Sequence, residues 1–314
     1  MTMKSFLIAL APVLLLSLQP DDSRSREFAP RPFPPSEDDL KPTLTQEKVE
    51  AYVTKIFSGY HYRKFNVNDS LSSKMYDNYL NEIDGGKLYF LANDVQYFEK
   101  YRNQLDESLN NGDLVAAYDM YNTFRKRYRD RSQFIDKLLT KPSFDFSVDE
   151  SFNIDRKKAV WAKSNDELNE IWRKLLKNEA LELKLSGKAD SAVVTLLKDR
   201  YKNRERNLGR FRSEQVFQMY MNSFCEVLDP HTRYFSPTDS DRFKQDMYQA
   251  LDGIGAVLRE DGNYIKVVEV VPGGPAFKDK RLKKDDRIIG VAQGEEGKYE
   301  DIVGWYVDDA VKKI

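Results

Sequence analysis

The stretch Gly253-Ile254-Gly255-Ala256-Val257-Leu258, followed by Gly273-Gly274-Pro275-Ala276 and Asp285-Asp286-Arg287-Ile288-Ile289-Gly290-Val291, decides how the C-terminal part of the chain folds. Glycines cluster here, the helical period ends, and Ala256–Glu260, Ile265–Val271 and Arg287–Val291 read as strands. Gly-Gly-Pro-Ala opens a short helix. Val307, Ala310 and Val311, spaced by three and one, share one face of a closing helix. A Gly-x-Gly tripeptide alone is a weak signal, since most such turns only close a hairpin. The ordered set is more specific: glycine loop, strand, short helix, strand, helix. Physically it suits a carboxylate. Gly253 and Gly255 permit a tight turn whose backbone amides aim at an anion without a cation. The strand from Ala256 would be an edge to which an extended peptide adds by main-chain hydrogen bonds. A pocket for the peptide's last side chain is expected from Ile254, Ala256 and Leu258, opposite Val307, Ala310 and Val311.

Upstream the chain reads as all-helical. Val49, Val53, Ile56, Phe57 and Tyr60 fall on one helix face. Further helical patterns cover about Asp69–Ile83, Asn93–Leu109, Asp113–Leu139, Asp166–Leu185, Asp190–Leu208 and Glu214–Leu228. Ser164-Asn165-Asp166-Glu167 is a capping box. Residues 43–238 are therefore expected as a helical domain, and 239–314 as the second domain. Ser236 and Pro237 start a helix to about Leu251 that joins the two. Lys141–Lys163 breaks the pattern, yet carries Phe144, Phe146, Phe152, Ile154 and Trp161, and so is expected to pack across the helices as a clasp. The basic runs Arg125–Arg131 and Asp199–Arg206 alternate with acids around helices, which favours a solvated charged face over a nucleic-acid groove.

Lysine plus arginine (50) nearly cancels aspartate plus glutamate (51), so no overall field favours nucleic acid or an anionic membrane. Lys4 and the apolar run Phe6–Leu16 match a secretory signal over residues 1–19, short for a bilayer span. An uncleaved N-terminal anchor is the alternative. Residues 20–42 hold six of the twelve prolines and read as a linker. The lone Cys225 excludes an intramolecular disulfide and reads as a small buried apolar residue. No histidine or cysteine pair has metal-ligand spacing, and no cofactor is implied. His61 and His231 read as structural, the latter as a turn residue whose ring bonds backbone. A triad from Asp229, His231 and Ser236 cannot converge within one proline turn.

The C-terminal set resembles a PDZ domain, a small sandwich or barrel-like fold, and its wording resembles the tail-specific, or carboxy-terminal processing, proteases of bacteria. The resemblance extends to Leu228-Asp229-Pro230-His231-Thr232-Arg233-Tyr234-Phe235-Ser236-Pro237, Gly304-Trp305-Tyr306-Val307-Asp308-Asp309-Ala310-Val311, His61-Tyr62-Arg63-Lys64-Phe65 and Tyr118-Asp119-Met120-Tyr121-Asn122, covering roughly residues 42–314. It implies a multidomain protein of the periplasm whose partners are C-terminal tails of exported proteins, with a lipoprotein adaptor as a further candidate. It also implies a serine nucleophile and a lysine base in a mixed α/β domain beyond the PDZ. No segment up to Ile314 resembles that nucleophile motif, so no catalytic residue is assigned, and the PDZ is expected to be incomplete. The other reading is a non-catalytic scaffold or adaptor that binds peptide C-termini.

Overall fold

The computed structural model describes residues 29–140, 144–248, 253–292, 294, 297–311 and 313. The expected signal segment and residues 20–28 lie outside the described residues. Two compact units divide between Tyr234 and Phe235.

The first unit is built on helices α1 (Leu44–Tyr60), α2 (Asp69–Asp84), α3 (Ala92–Phe98), α4 (Leu105–Asn111), α5 (Val115–Thr140), α6 (Asn165–Leu185), α7 (Asp190–Gly209) and α8 (Ser213–Leu228). Thr43 caps α1 through a capping box, its hydroxyl accepting from the Gln46 amide and the Gln46 side chain accepting from the Thr43 amide. Val49, Val53 and Phe57 pack on the main core, as the period predicts. Tyr60, expected beside them, is 87% exposed. The stripe facing inward is rotated by one residue: Glu50 and Thr54 are fully buried, with Phe57 and His61 in line. A carboxyl at the centre of that face hides it from an apolar count.

Met75, Tyr76, Tyr79, Leu80 and Ile83 of α2 meet Val216, Phe217, Tyr220, Met221 and Phe224 of α8 in the main core. Tyr79 and Tyr220 pack edge to face, 5.3 Å between centroids. The 26-residue α5 serves two cores. Ala116–Phe124 faces the first; Ile135 and Leu139 face a second, with Trp172, Leu176, Ala180 and Leu183 of α6 and Val193, Leu197 and Tyr201 of α7.

The helix expected over Asn93–Leu109 is broken into α3, a 3-10 turn at Glu99–Tyr101, and α4. Ser72 causes the break to be stable, because its hydroxyl donates to the Arg102 carbonyl (2.7 Å) and accepts the Leu105 amide (2.8 Å). Arg102 is held in turn by Glu99 and Asp77. Polar contacts from another helix thus replace the missing ladder bonds. Ser164 caps α6 as expected, but Glu167 reaches back to the Lys163 amide (2.8 Å) rather than to Ser164 itself. In the described part of the clasp, Phe144 and Phe146 lie against the second core and Trp161 against the first, while Ile154 is 73% exposed.

Two expectations about polar segments change. Ala29–Pro42, read as linker, is free of helix as its prolines require, yet Ala29 and Leu40 pack on the helical core. The Arg125–Arg131 run is not simply solvated. Arg127 forms a two-point ion pair with the buried Asp94 (both 2.8 Å), Arg131 is buried beside Asn169, and Arg125 and Lys126 reach residues 34–39.

The second unit has α9 (Pro237–Tyr248), β1 (Ala256–Asp261), β2 (Tyr264–Val270), α10 (Pro275–Asp279), β3 (Arg287–Ile288), β4 (Gly290–Val291), β5 (Glu300–Asp301) and α11 (Val307–Val311). β1, β2 and β3 form an antiparallel sheet in that order, and β4 pairs with β5. The run Arg287–Val291, expected as one strand, is divided at Ile289 between the two sheets. Gly290 permits this, since a Cβ there would run into the Tyr299 ring. Ile265, Ile302 and Ala310 form the small core, with Leu258, Ile288, Val291, Trp305 and Val307 against it.

Candidate peptide-binding site

The loop before β1 is shaped by two glycines that face each other. Gly255 has φ +74°, a left-handed conformation, and a Cβ on it would lie 3.0 Å from both Gly274 Cα and Pro275 Cδ. Gly274 is equally confined, with a Cβ 3.1 Å from Gly255 Cα and from the Val271 carbonyl oxygen. Gly255 is expected from the sequence to permit a tight turn whose amides aim at an anion. In the structure its bare Cα first lets the loop lean on the start of α10. Gly253, by contrast, has open space where a Cβ would stand. The Gly273-Gly274-Pro275 doublet was the signal that could have identified Gly274.

This packing orients the backbone. The Ile254 carbonyl accepts the Ala276 amide (2.8 Å), and the Gly255 carbonyl accepts the Val271 amide (2.8 Å). A trans peptide places N–H opposite C=O. Hence the Gly255 amide points away from α10, and the Ala256 amide points away from β2, toward the side of β1 that, among the described residues, no strand of its sheet covers. Strand alternation gives Leu258 and Glu260 the same outward main-chain direction. The register shifts between Val257, which pairs with Glu269, and Leu258, which pairs with Val267, so Val268 is the extra residue of a bulge.

Beside β1 stands α11. Leu258 and Val307 are half-buried on the core cluster. Ala310 is wholly buried in that core and offers no open surface, which corrects its expected place in the pocket wall: its small side chain instead lets α11 sit close over Ile265 and Ile302. Val311 is 49% exposed. Ile254 and Ala256 are half-buried and lie outside the cluster. Of the eight expected residues, Leu258 and Val307 are thus brought together over an apolar floor, with the Gly255 and Ala256 amides at one end.

A second polar constellation lies where α1 ends. His61 Nε2 is 3.1 Å from Asp229 Oδ2 and 3.0 Å from Thr232 Oγ1, while its Nδ1 lies 3.0 Å from the Arg63 carbonyl. Asp229 also accepts the His231 amide (2.7 Å) and the Thr232 amide (3.1 Å). The Thr232 hydroxyl, foremost among these donors, and His61 hold its carboxyl down at about 2. Carboxylate and hydroxyl meet the same ring nitrogen, so no proton relay runs from one to the other through the imidazole. The ring bond expected of His231 is made by His61 instead, and the cluster ties α1 to the turn after α8. Cys225 is fully buried, as expected, and burial pushes its thiol up to about 12, far from a reactive thiolate. Among the described residues no three His, Cys, Asp or Glu side chains converge on a metal position, and no helix is long and apolar enough to cross a membrane.

A helical domain followed by a small α+β domain of PDZ type is the class these two units define. The family profile described as "Tail specific protease N-terminal domain" matches residues 53–238, and the PDZ profile matches 244–314. The chain belongs to the tail-specific protease family. It is 35% identical over 290 residues to the tail-specific protease of Haemophilus influenzae, an alignment that covers 91% of this chain and 41% of that protein's length. A crystal structure of the PDZ domain of a carboxy-terminal protease from Vibrio cholerae, in complex with peptide, shares 48% identity over 20% of this chain and 64% of its own, with a TM-score of 0.20.

Proposed function

We propose that this chain is the N-terminal and substrate-recognition portion of a carboxy-terminal processing serine endopeptidase, its PDZ domain binding the apolar C-termini of exported proteins. The observation that carries this reading is the pair of amides at Gly255 and Ala256, turned outward beside the open edge of β1 and the apolar floor of Leu258 and Val307. A terminal carboxylate would meet those amides, the peptide backbone would extend β1, and the last side chain would rest between β1 and α11. The apolar run Phe6–Leu16 supports export to the periplasm. In this reading hydrolysis is the work of a serine and a lysine of the whole protease, and this chain spans 41% of the length of the relative compared.

Labelled peptides identical except for their last residue test the recognition step: a terminal alanine or valine should bind the chain at least about tenfold more tightly than a terminal aspartate, a difference of about 1.4 kcal/mol. Equal binding would remove the pocket. The native protein, mixed with a reporter ending in the same apolar tail, should trim it. A native mass near 36.6 kDa with tail binding and no cleavage would leave the scaffold reading instead.

A further inference from the structure

Residues 29–42 carry five prolines and cross α5 without forming a helix of their own. Their attachment is made mainly through main-chain atoms. The Asn122 side chain, nearly buried, donates from Nδ2 to the Leu40 carbonyl and accepts the Leu40 amide at Oδ1, both 2.9 Å. Arg125 donates to the Asp38 carbonyl (2.8 Å) and Lys126 to the Pro34 carbonyl (2.9 Å). Any extended polypeptide carries those groups. Side-chain selection is confined to a few places: Arg31 on the nearly buried Asp119, Lys126 on Asp39 (3.0 Å), Phe33 beneath the Arg127 guanidinium (4.7 Å), and the apolar side chains of Ala29 and Leu40 on the core. Burial alone would raise the Asp39 carboxyl, but the Lys126 ammonium and the Ser36 amide hold it below the usual range.

The fit is incomplete. A solvent-open groove of about 590 Å³ runs beside this strap, walled by Tyr97, Tyr101, Tyr118, Asp119 and Asn122 on the helical side. Its polar wall is already organised: the Tyr101 hydroxyl donates to Asp119 (2.8 Å), and the Tyr118 hydroxyl lies 2.7 Å from the Ser213 hydroxyl. Tyrosines around a rigid cleft, with donors aimed at the carbonyls of a proline-rich segment, are the features by which aromatic grooves recognise polyproline-type ligands, which lose little entropy on binding.

We propose that the α5 groove is a second polypeptide-binding site, selective for extended proline-rich segments with an arginine ahead of an aliphatic residue, and that residues 29–42 occupy it as a tethered, displaceable ligand. The tether keeps a high local concentration of strap at the groove, so a free peptide is excluded from the unaltered chain until the strap is weakened.

The test keeps the full chain and disables the strap with Arg31→Ser and Leu40→Ser, using as probe a fluorescein-labelled peptide of residues 29–43. The probe should bind the double variant at least about tenfold more tightly than the unaltered chain, and adding Asn122→Ala should reverse that gain. In the unaltered chain, amide hydrogens of residues 29–42 should exchange faster than those of α5, reporting local release of the strap. The proposal is overturned if the double variant keeps its helical circular dichroism but ignores the probe. It is equally overturned if the strap's amides exchange only with global unfolding.

Discussion

Glu50 should make the helical unit less stable as pH rises through neutrality, and Glu50→Gln should abolish that loss. Its side chain is fully buried on the inward stripe of α1, and neither carboxyl oxygen has a hydrogen-bond partner. Burial, with Asp113 and Glu47 adding repulsion, pushes the carboxyl from 4.5 to about 8. The folded chain therefore holds a proton that the unfolded chain releases above pH 4.5. Its favourable contribution is complete below that value, declines as pH rises, and is lost above 8. Each pH unit in the window costs about 1.4 kcal/mol, so the loss at pH 7 is about 3 kcal/mol. Glutamine fits the same space and has no proton to release. Denaturant unfolding followed by far-ultraviolet circular dichroism, run on both proteins between pH 5 and 8, isolates the difference between them. The variant should exceed the wild type by about 1 kcal/mol at pH 5 and by about 3 kcal/mol at pH 7. A difference that stays constant with pH would refute the reasoning, since it would mean that residue 50 changes protonation equally in both states.

Gly255→Ala should destabilise the second unit by about 1–3 kcal/mol and weaken peptide binding in parallel, because the new methyl meets Gly274 and Pro275 at a positive φ; unchanged thermal unfolding of that unit would contradict it. For Asp229, a folded carboxyl at about 2 against an ordinary 3.8 contributes stability that is present above 3.8 and lost as pH falls through 2. Asp229→Asn should accordingly differ most from the wild type above pH 4 and converge with it toward pH 2 in urea midpoints; a gap that persists at pH 2 would assign the effect to packing. Gly112→Ala should cost the helical unit more than about 1 kcal/mol, since Gly112 adopts φ +73° and a Cβ there would strike the Glu47 carbonyl; an unshifted denaturation midpoint would contradict it.

Much of the architecture is legible in the sequence because helical period and turn chemistry are local. Ser164 marks a helix start, and Gly-Gly-Pro-Ala marks α10, with no knowledge of what packs where. What escapes is set by contacts between distant residues. The break between α3 and α4 depends on the Ser72 hydroxyl thirty residues earlier in the chain, at Arg102. The inward stripe of α1 is centred on a buried acid, which any hydrophobic count discards. Residues 29–42 look like a linker because their prolines forbid regular structure, while the side chains that fasten them belong to α5. At the candidate site, Gly255, Leu258 and Val307 could be chosen from spacing, but the role of Gly255 needed its facing partner Gly274, and Ala310 belongs to the core beneath.

The outward amides at Gly255 and Ala256 are the centre of the functional account, and they are tested most directly by one pair of peptides. A labelled peptide with an apolar last residue is titrated with the chain in two forms, free acid and C-terminal amide. Two charge-assisted hydrogen bonds to a carboxylate predict that amidation weakens binding by at least about tenfold in fluorescence polarisation. Equal affinity for the acid and the amide would contradict the account.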